Sequence, residues 1–214
     1  MARWDPGTEE RLKKAALELC GEHGYDSVTV SQIAERAGIT RRSYFRYFPD
    51  KREVLFAGSE QLPVAVAAAV LDAEEGLSPL STALDALTRV GAQLAALIDH
   101  AAERRAVINS SAELQERERT KHAAVTTAIR DALRQRGVDP DRAGLAAQIA
   151  TVVFQNAFAR WVDTEGRTDL PSCLRAVAAS VRETLADDEQ PKTPRPGSLR
   201  DDRDDGVGVV AGGS

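Results

Sequence analysis

At 214 residues, 43% hydrophobic and 29% charged, the chain can bury one substantial core or two modest ones. No uncharged apolar run of about 18 residues offers itself as a membrane span. The net charge of -5 excludes a protein that coats nucleic acid indiscriminately. That charge is nevertheless uneven. Residues 40–52 hold Arg41, Arg42, Arg46, Lys51 and Arg52 against Asp50 alone, a local +4 that leaves -9 on the remainder.

Almost every segment reads as helix, because Ala, Leu, Arg and Glu dominate and alternating β-branched runs are absent. The N-terminal MARWDPGTEER has no apolar core behind its Arg and is not read as a leader. A first helix starts near Thr8, carries Leu12, Ala16, Leu19 and His23 on one stripe, and ends at Gly24. Thr29-Val-Ser-Gln32 has the form of a capping box and opens a second helix to Gly38. A third helix begins near Thr40 and is halted by Pro49. Asp50-Lys-Arg-Glu53 repeats the capping-box form, so a fourth helix is expected from there into the sixties.

Further helices are expected from Ser78-Pro79 to about His100, through Val107, from about Glu113 to Arg136, from Asp139-Pro140 to about Val162, and from Pro171 to about residue 186. From Asp187 the composition turns rich in Pro, Gly and Asp without apolar period, which predicts a disordered tail over 187–214. Cys20 and Cys173 are isolated among apolar helical residues and read as free buried thiols, in keeping with a cytoplasmic location. The fold class expected is all-α. It comprises a helix-turn-helix domain over 1–58, a helical regulatory and dimerisation domain over 59–186, and the tail.

Of ten aromatic residues, four fall within 44–48, interleaved with cations, in GITRRSYFRYFPDK. Helices at 29–38 and 40–48 joined through Ala37-Gly38-Ile39 form a helix-turn-helix, whose second helix enters the DNA major groove. Phe45 and Phe48 are expected to pack inward. Thr40, Arg41, Arg42 and Ser43 occupy the first turn, with Arg46 one turn beyond Arg42. Arg pairs bidentately with guanine, at about 1–3 kcal/mol of discrimination. Tyr47 and Lys51 are expected to meet phosphate, which fixes register rather than sequence.

Residues 8–58 resemble the DNA-binding domain of the TetR family of bacterial transcriptional regulators, in the pattern TVSQIAERAGITRRSYFRYFPDKREVL. The resemblance implies a homodimer whose last two helices form a shared four-helix interface, and a ligand pocket in each subunit that controls binding to a double-stranded DNA operator. It also implies Thr29, Tyr47 and Lys51 as phosphate contacts and Arg41, Arg42 and Ser43 as groove-facing. Phe45 departs from the Tyr common at that position and has no hydroxyl to donate.

In the C-terminal half, polar or aromatic residues within Ala-rich helices are the pocket candidates: His100, Asn109, His122, Gln148, Phe154, Asn156, Phe158 and Trp161. Phe154, Phe158 and Trp161 share a face by spacing, where plain core is the alternative. The chain is therefore read as a ligand-responsive repressor released by a small lipophilic effector, with no cofactor, no metal and no membrane partner. A TetR-like activator, or a repressor without a small-molecule effector, is the rival. A small helical enzyme is the remote one, because no phosphate loop, HExxH or Cys-His constellation is present.

Overall fold

The computed structural model describes residues 7–95, 100–164 and 167–189. Among them the regular elements are helical: α1 (Thr8–His23), α2 (Val30–Arg36), α3 (Arg41–Tyr44), α4 (Gln61–Leu71), α5 (Pro79–Ala95), α6 (Ala101–Asn109), α7 (Ala112–Gln135), α8 (Pro140–Asp163) and α9 (Leu170–Glu189). Short 3₁₀ turns occur at Tyr25–Ser27 and Glu53–Phe56. The start of α8 shows how local the signals are. Asp139 accepts from the backbone N–H groups of Asp141 and Arg142, both at 3.1 Å, ahead of Pro140.

The expected fourth helix is broken. Asp50 does accept from Arg52 N–H at 2.8 Å and Glu53 N–H at 3.1 Å. Glu53, however, does not complete the box. It reaches across to α7, where Arg117 stands 2.6 Å and Lys121 3.3 Å away. One 3₁₀ turn follows, and Gly58, at φ +80°, then redirects the chain before α4. This break also bears on the membrane expectation. Residues Glu53–Leu71 have the length and mean hydropathy (1.7) of a span, although Glu53 and Glu60 keep the stretch from being an uncharged run. The continuous helix within that stretch is only α4, about 16 Å long at 1.5 Å per residue. That falls short of a hydrocarbon core of about 30 Å.

Two apolar cores result. The N-terminal one gathers Leu12, Leu19, Tyr25, Ile33, Tyr44 and Phe48 with Val54, Leu55 and Phe56, and it also takes Val107, Ile108 and Leu114 from α6 and α7. The C-terminal one packs α4 and α5 against α7, α8 and α9. On α8 the buried Ala143, Ala147, Ala150 and Ala157 let neighbouring helices approach closely. Cys20 and Cys173 are free and buried, one in each core. α9 continues through Glu189, past the expected end at residue 186. The remainder of the predicted tail, residues 190–214, lies outside the described residues, as does the expected stretch of helix at 96–99.

Candidate DNA-reading surface and interdomain cavity

The first site is built on α2 and α3. Thr29 closes the capping box: its Oγ1 accepts from Gln32 N–H at 3.3 Å, and Gln32 Oε1 accepts from Thr29 N–H at 2.8 Å. α2 then ends in a Schellman motif. Ile39 N–H donates to Ala34 O at 2.9 Å and Gly38 N–H to Glu35 O at 3.0 Å, with Gly38 at φ +73°. Thr40 caps α3 by accepting from Ser43 N–H at 3.1 Å. The sequence therefore fixes the angle between the two helices by local hydrogen bonds.

Within α3 the aromatic assignment changes. Tyr44, not Phe45, is the inward partner of Phe48. Tyr44 is fully buried, and its hydroxyl donates to the Asp50 carbonyl at 3.0 Å, whereas Phe45 is 46% exposed. The regular helix spans only Arg41–Tyr44 before tighter turns, so Tyr44 and Phe48, four apart, share the inner face. Phe45 stands outside, edge-on to Tyr44, with the Arg41 guanidinium 5.6 Å from its ring. Arg41, Arg42 and Arg46 are exposed, and among the described residues none forms an ion pair. Tyr47 is half-buried, and Thr29 and Thr40 are committed as caps.

Lys51, expected to meet phosphate, is engaged within the domain. Its ammonium points into the domain and donates to the carbonyls of Tyr25 (2.8 Å) and Val28 (2.9 Å), 3.8 Å from the Tyr25 ring. Those bonds tie the end of the recognition segment to the loop before α2. Lys51 is first a structural tie.

The second site is a cavity of about 640 Å³ between α1, the 53–56 turn, α6, α7 and α8, within the usual range for ligand sites. Five of the expected residues line it: His100, Asn109, His122, Phe154 and Phe158. Three do not. Gln148 and Asn156 lie on the exposed face of α8, where Asn156 Nδ2 donates to Val152 O at 2.8 Å. At about 100° per residue, neither shares the face of Phe154 and Phe158. Trp161 packs on the Phe158 ring at 5.3 Å but stands behind the lining.

What the sequence reading missed are the cations. Arg104 and Lys121 lie 5.2 Å and 5.6 Å from the Phe56 ring. Arg104 Nε also donates to the Leu55 carbonyl. Burial pushes the Arg104 guanidinium below its usual range, with the Glu118 carboxylate opposing. Burial likewise lowers His122, against Glu118 and helped by Arg104. In sequence these cations sit in the polar α6 and α7 and look like solvated surface. Among the described residues no His, Cys, Asp and Glu group is arranged to hold a metal ion.

Residues 12–57 match the model for bacterial regulatory proteins of the tetR family. The chain is 37% identical over 73 residues to the HTH-type transcriptional regulator TcmR of Streptomyces glaucescens, covering 34% of this chain and 32% of that one. It is 29% identical over 169 residues to the uncharacterized HTH-type transcriptional regulator Rv0196 of Mycobacterium tuberculosis (strain ATCC 25618 / H37Rv), covering 71% and 82%. The matches to TcmR and to the uncharacterized HTH-type transcriptional regulator YdeS of Bacillus subtilis (strain 168) span only about a third of those relatives' length. Among solved structures, FadR from Bacillus subtilis in complex with stearoyl-CoA aligns with a TM-score of 0.52 at 22% identity, covering 78% of this chain and 94% of that one. At that identity the likeness is one of fold.

Proposed function

We propose, for a chain that belongs through its N-terminal domain to the TetR family of bacterial regulatory proteins, that it is a dimeric transcriptional repressor. It acts in the cytoplasm and leaves a near-palindromic operator when a small lipophilic effector fills the interdomain cavity. The observation that carries this reading is the capped, Schellman-terminated α2 holding α3 so that Arg41, Arg42 and Arg46 project together from an acidic protein. The acidic remainder is repelled by phosphate and orients that face toward DNA. Thr29, Thr40, Ser43 and Tyr47 flank it as candidate contacts.

The cavity favours a ligand-responsive repressor over the rival without a small-molecule effector. It borders both the segment that follows the recognition helix and the C-terminal core. FadR and other fold neighbours carry lipophilic ligands, which agrees with the Phe154 and Phe158 wall. The outward faces of α8 and α9 expose Leu145, Val152 and Leu185, which supports dimerisation through these two helices.

The test is fluorescence anisotropy on a fragment from the chain's own promoter region, competed with scrambled DNA. Specific binding at about 10⁻⁸ M or tighter is expected, with half-sites about one helical turn apart. Micromolar binding that ignores sequence and titrates away with salt would sink the repressor reading.

A further inference from the structure

The cavity has a charge imbalance concentrated at one end. Several of its cations have carboxylates of their own. Lys13 pairs with Glu9 and Glu10, Arg105 with Asp163, and Arg119 with Glu116. The end that adjoins Phe56 differs. There Glu53 is shared by Arg117 and Lys121, and Arg104 has no ion pair among the described residues. Arg104 is packed by protein on most sides but reaches the cavity; its direct partners are the Leu55 carbonyl and the Phe56 ring, and Glu118 on the cavity wall acts on it only through space. A desolvated guanidinium with spare donors favours an anion over any neutral group. The apolar part of the lining is formed by Leu62, Leu94, Val125, Phe154 and Phe158, which belong to, or pack on, the C-terminal core.

We propose that the cavity takes an amphiphile with one compact anionic head, a carboxylate or a phosphate monoester on an aliphatic tail. The head lies on Arg104 and Lys121, and the tail lies along Phe154 and Phe158. This rests on the effector-responsive reading above and names the chemistry of its ligand. It also supplies the coupling. Arg104 holds the Leu55 carbonyl and Lys121 holds Glu53, and both belong to the turn directly after the recognition segment. An anionic head competes with these two acceptors for the same donors. It binds better where the 53–56 turn has been released, and that differential affinity shifts the population away from the DNA-bound arrangement.

The test uses the full chain, isothermal calorimetry and operator release, with four probes kept below their micelle concentrations: dodecanoate, dodecyl phosphate, dodecanol and dodecyltrimethylammonium. Both anions are expected to bind about tenfold or more tightly than dodecanol, as charge-assisted hydrogen bonds require, and to release operator. The cation should do neither. Arg104→Met should bring dodecanoate down to the affinity of dodecanol, and Arg104→Lys should restore part of the difference. If Arg104→Met does not fold, the wild-type ranking of the four probes decides alone. Dodecanol or the cation binding as well as the anions and releasing DNA overturns this inference and leaves the effector-responsive reading standing. Dodecanoyl-CoA releasing DNA where dodecanoate does not would show that a nucleotide-borne charge is read, which also overturns it. No binding by any probe, in a protein that holds its operator, removes both readings.

Discussion

Two cations nine residues apart on the reading head, Arg42 and Lys51, illustrate how little charge alone says about role. Arg42 is exposed and has no ion pair among the described residues, whereas Lys51 spends its ammonium on two backbone carbonyls. Hydrogen bonds to a charged group contribute about 1.5–3 kcal/mol each in mutational series. Lys51→Met is therefore expected to lower the unfolding free energy by roughly 2–3 kcal/mol, measured by urea denaturation, because the two carbonyls lose their donor. Arg42→Ala should leave the urea midpoint unchanged and relax base preference in a selection from random DNA. A Lys51→Met protein as stable as the wild type, but weaker on every DNA sequence, would restore Lys51 to a phosphate-clamping role. The cations could be counted in the sequence. The direction of each could not, because it depends on where Tyr25 and Val28 place their carbonyls in space.

At the scale of elements, legibility followed how local the determining contacts are. The box at Thr29, the glycine turn at Gly38 and the Asp139-Pro140 start were readable because each is closed by residues within five positions. The run from Asp50 to Leu71 misled for the opposite reason. Its apparent box is dissolved by ion pairs between Glu53 and residues more than sixty positions away. The inward aromatic was misassigned because four residues of regular helix give a period too short to phase. Gly58 is the residue that makes the break possible. With φ at +80°, a β-carbon there costs roughly 1–2 kcal/mol, the penalty of a left-handed backbone for an L-residue. Gly58→Ala is expected to lower the urea midpoint accordingly and to change the response of operator binding to ligand, since the 53–56 turn links cavity and recognition segment. A stabilised Gly58→Ala protein with increased helicity by circular dichroism would mean that 53–71 prefers one continuous helix.

For the whole molecule, the outer faces of α8 and α9 decide whether the reading head works alone or in pairs. Leu145 and Val152 on α8 are 61% and 53% exposed, one face of a helix whose other face is core. Gln148 and Asn156, expected in the pocket, lie on this outer face as well. They thereby become candidate polar members of an interface between two copies. A dimer through this face would make operator binding bivalent, which raises affinity by about 10²–10⁴ without any new contact to DNA. Leu145→Glu combined with Val152→Glu places two charges where the single chain already meets water. The monomer should therefore keep its helicity and lose only about 0.5 kcal/mol or less per site. Sedimentation should then show a monomer, and operator affinity should fall toward that of a single half-site. A dimer that survives both charges would exclude this face. The exposed apolar side of α4, with Val64 and Leu71, would then be the next surface to charge.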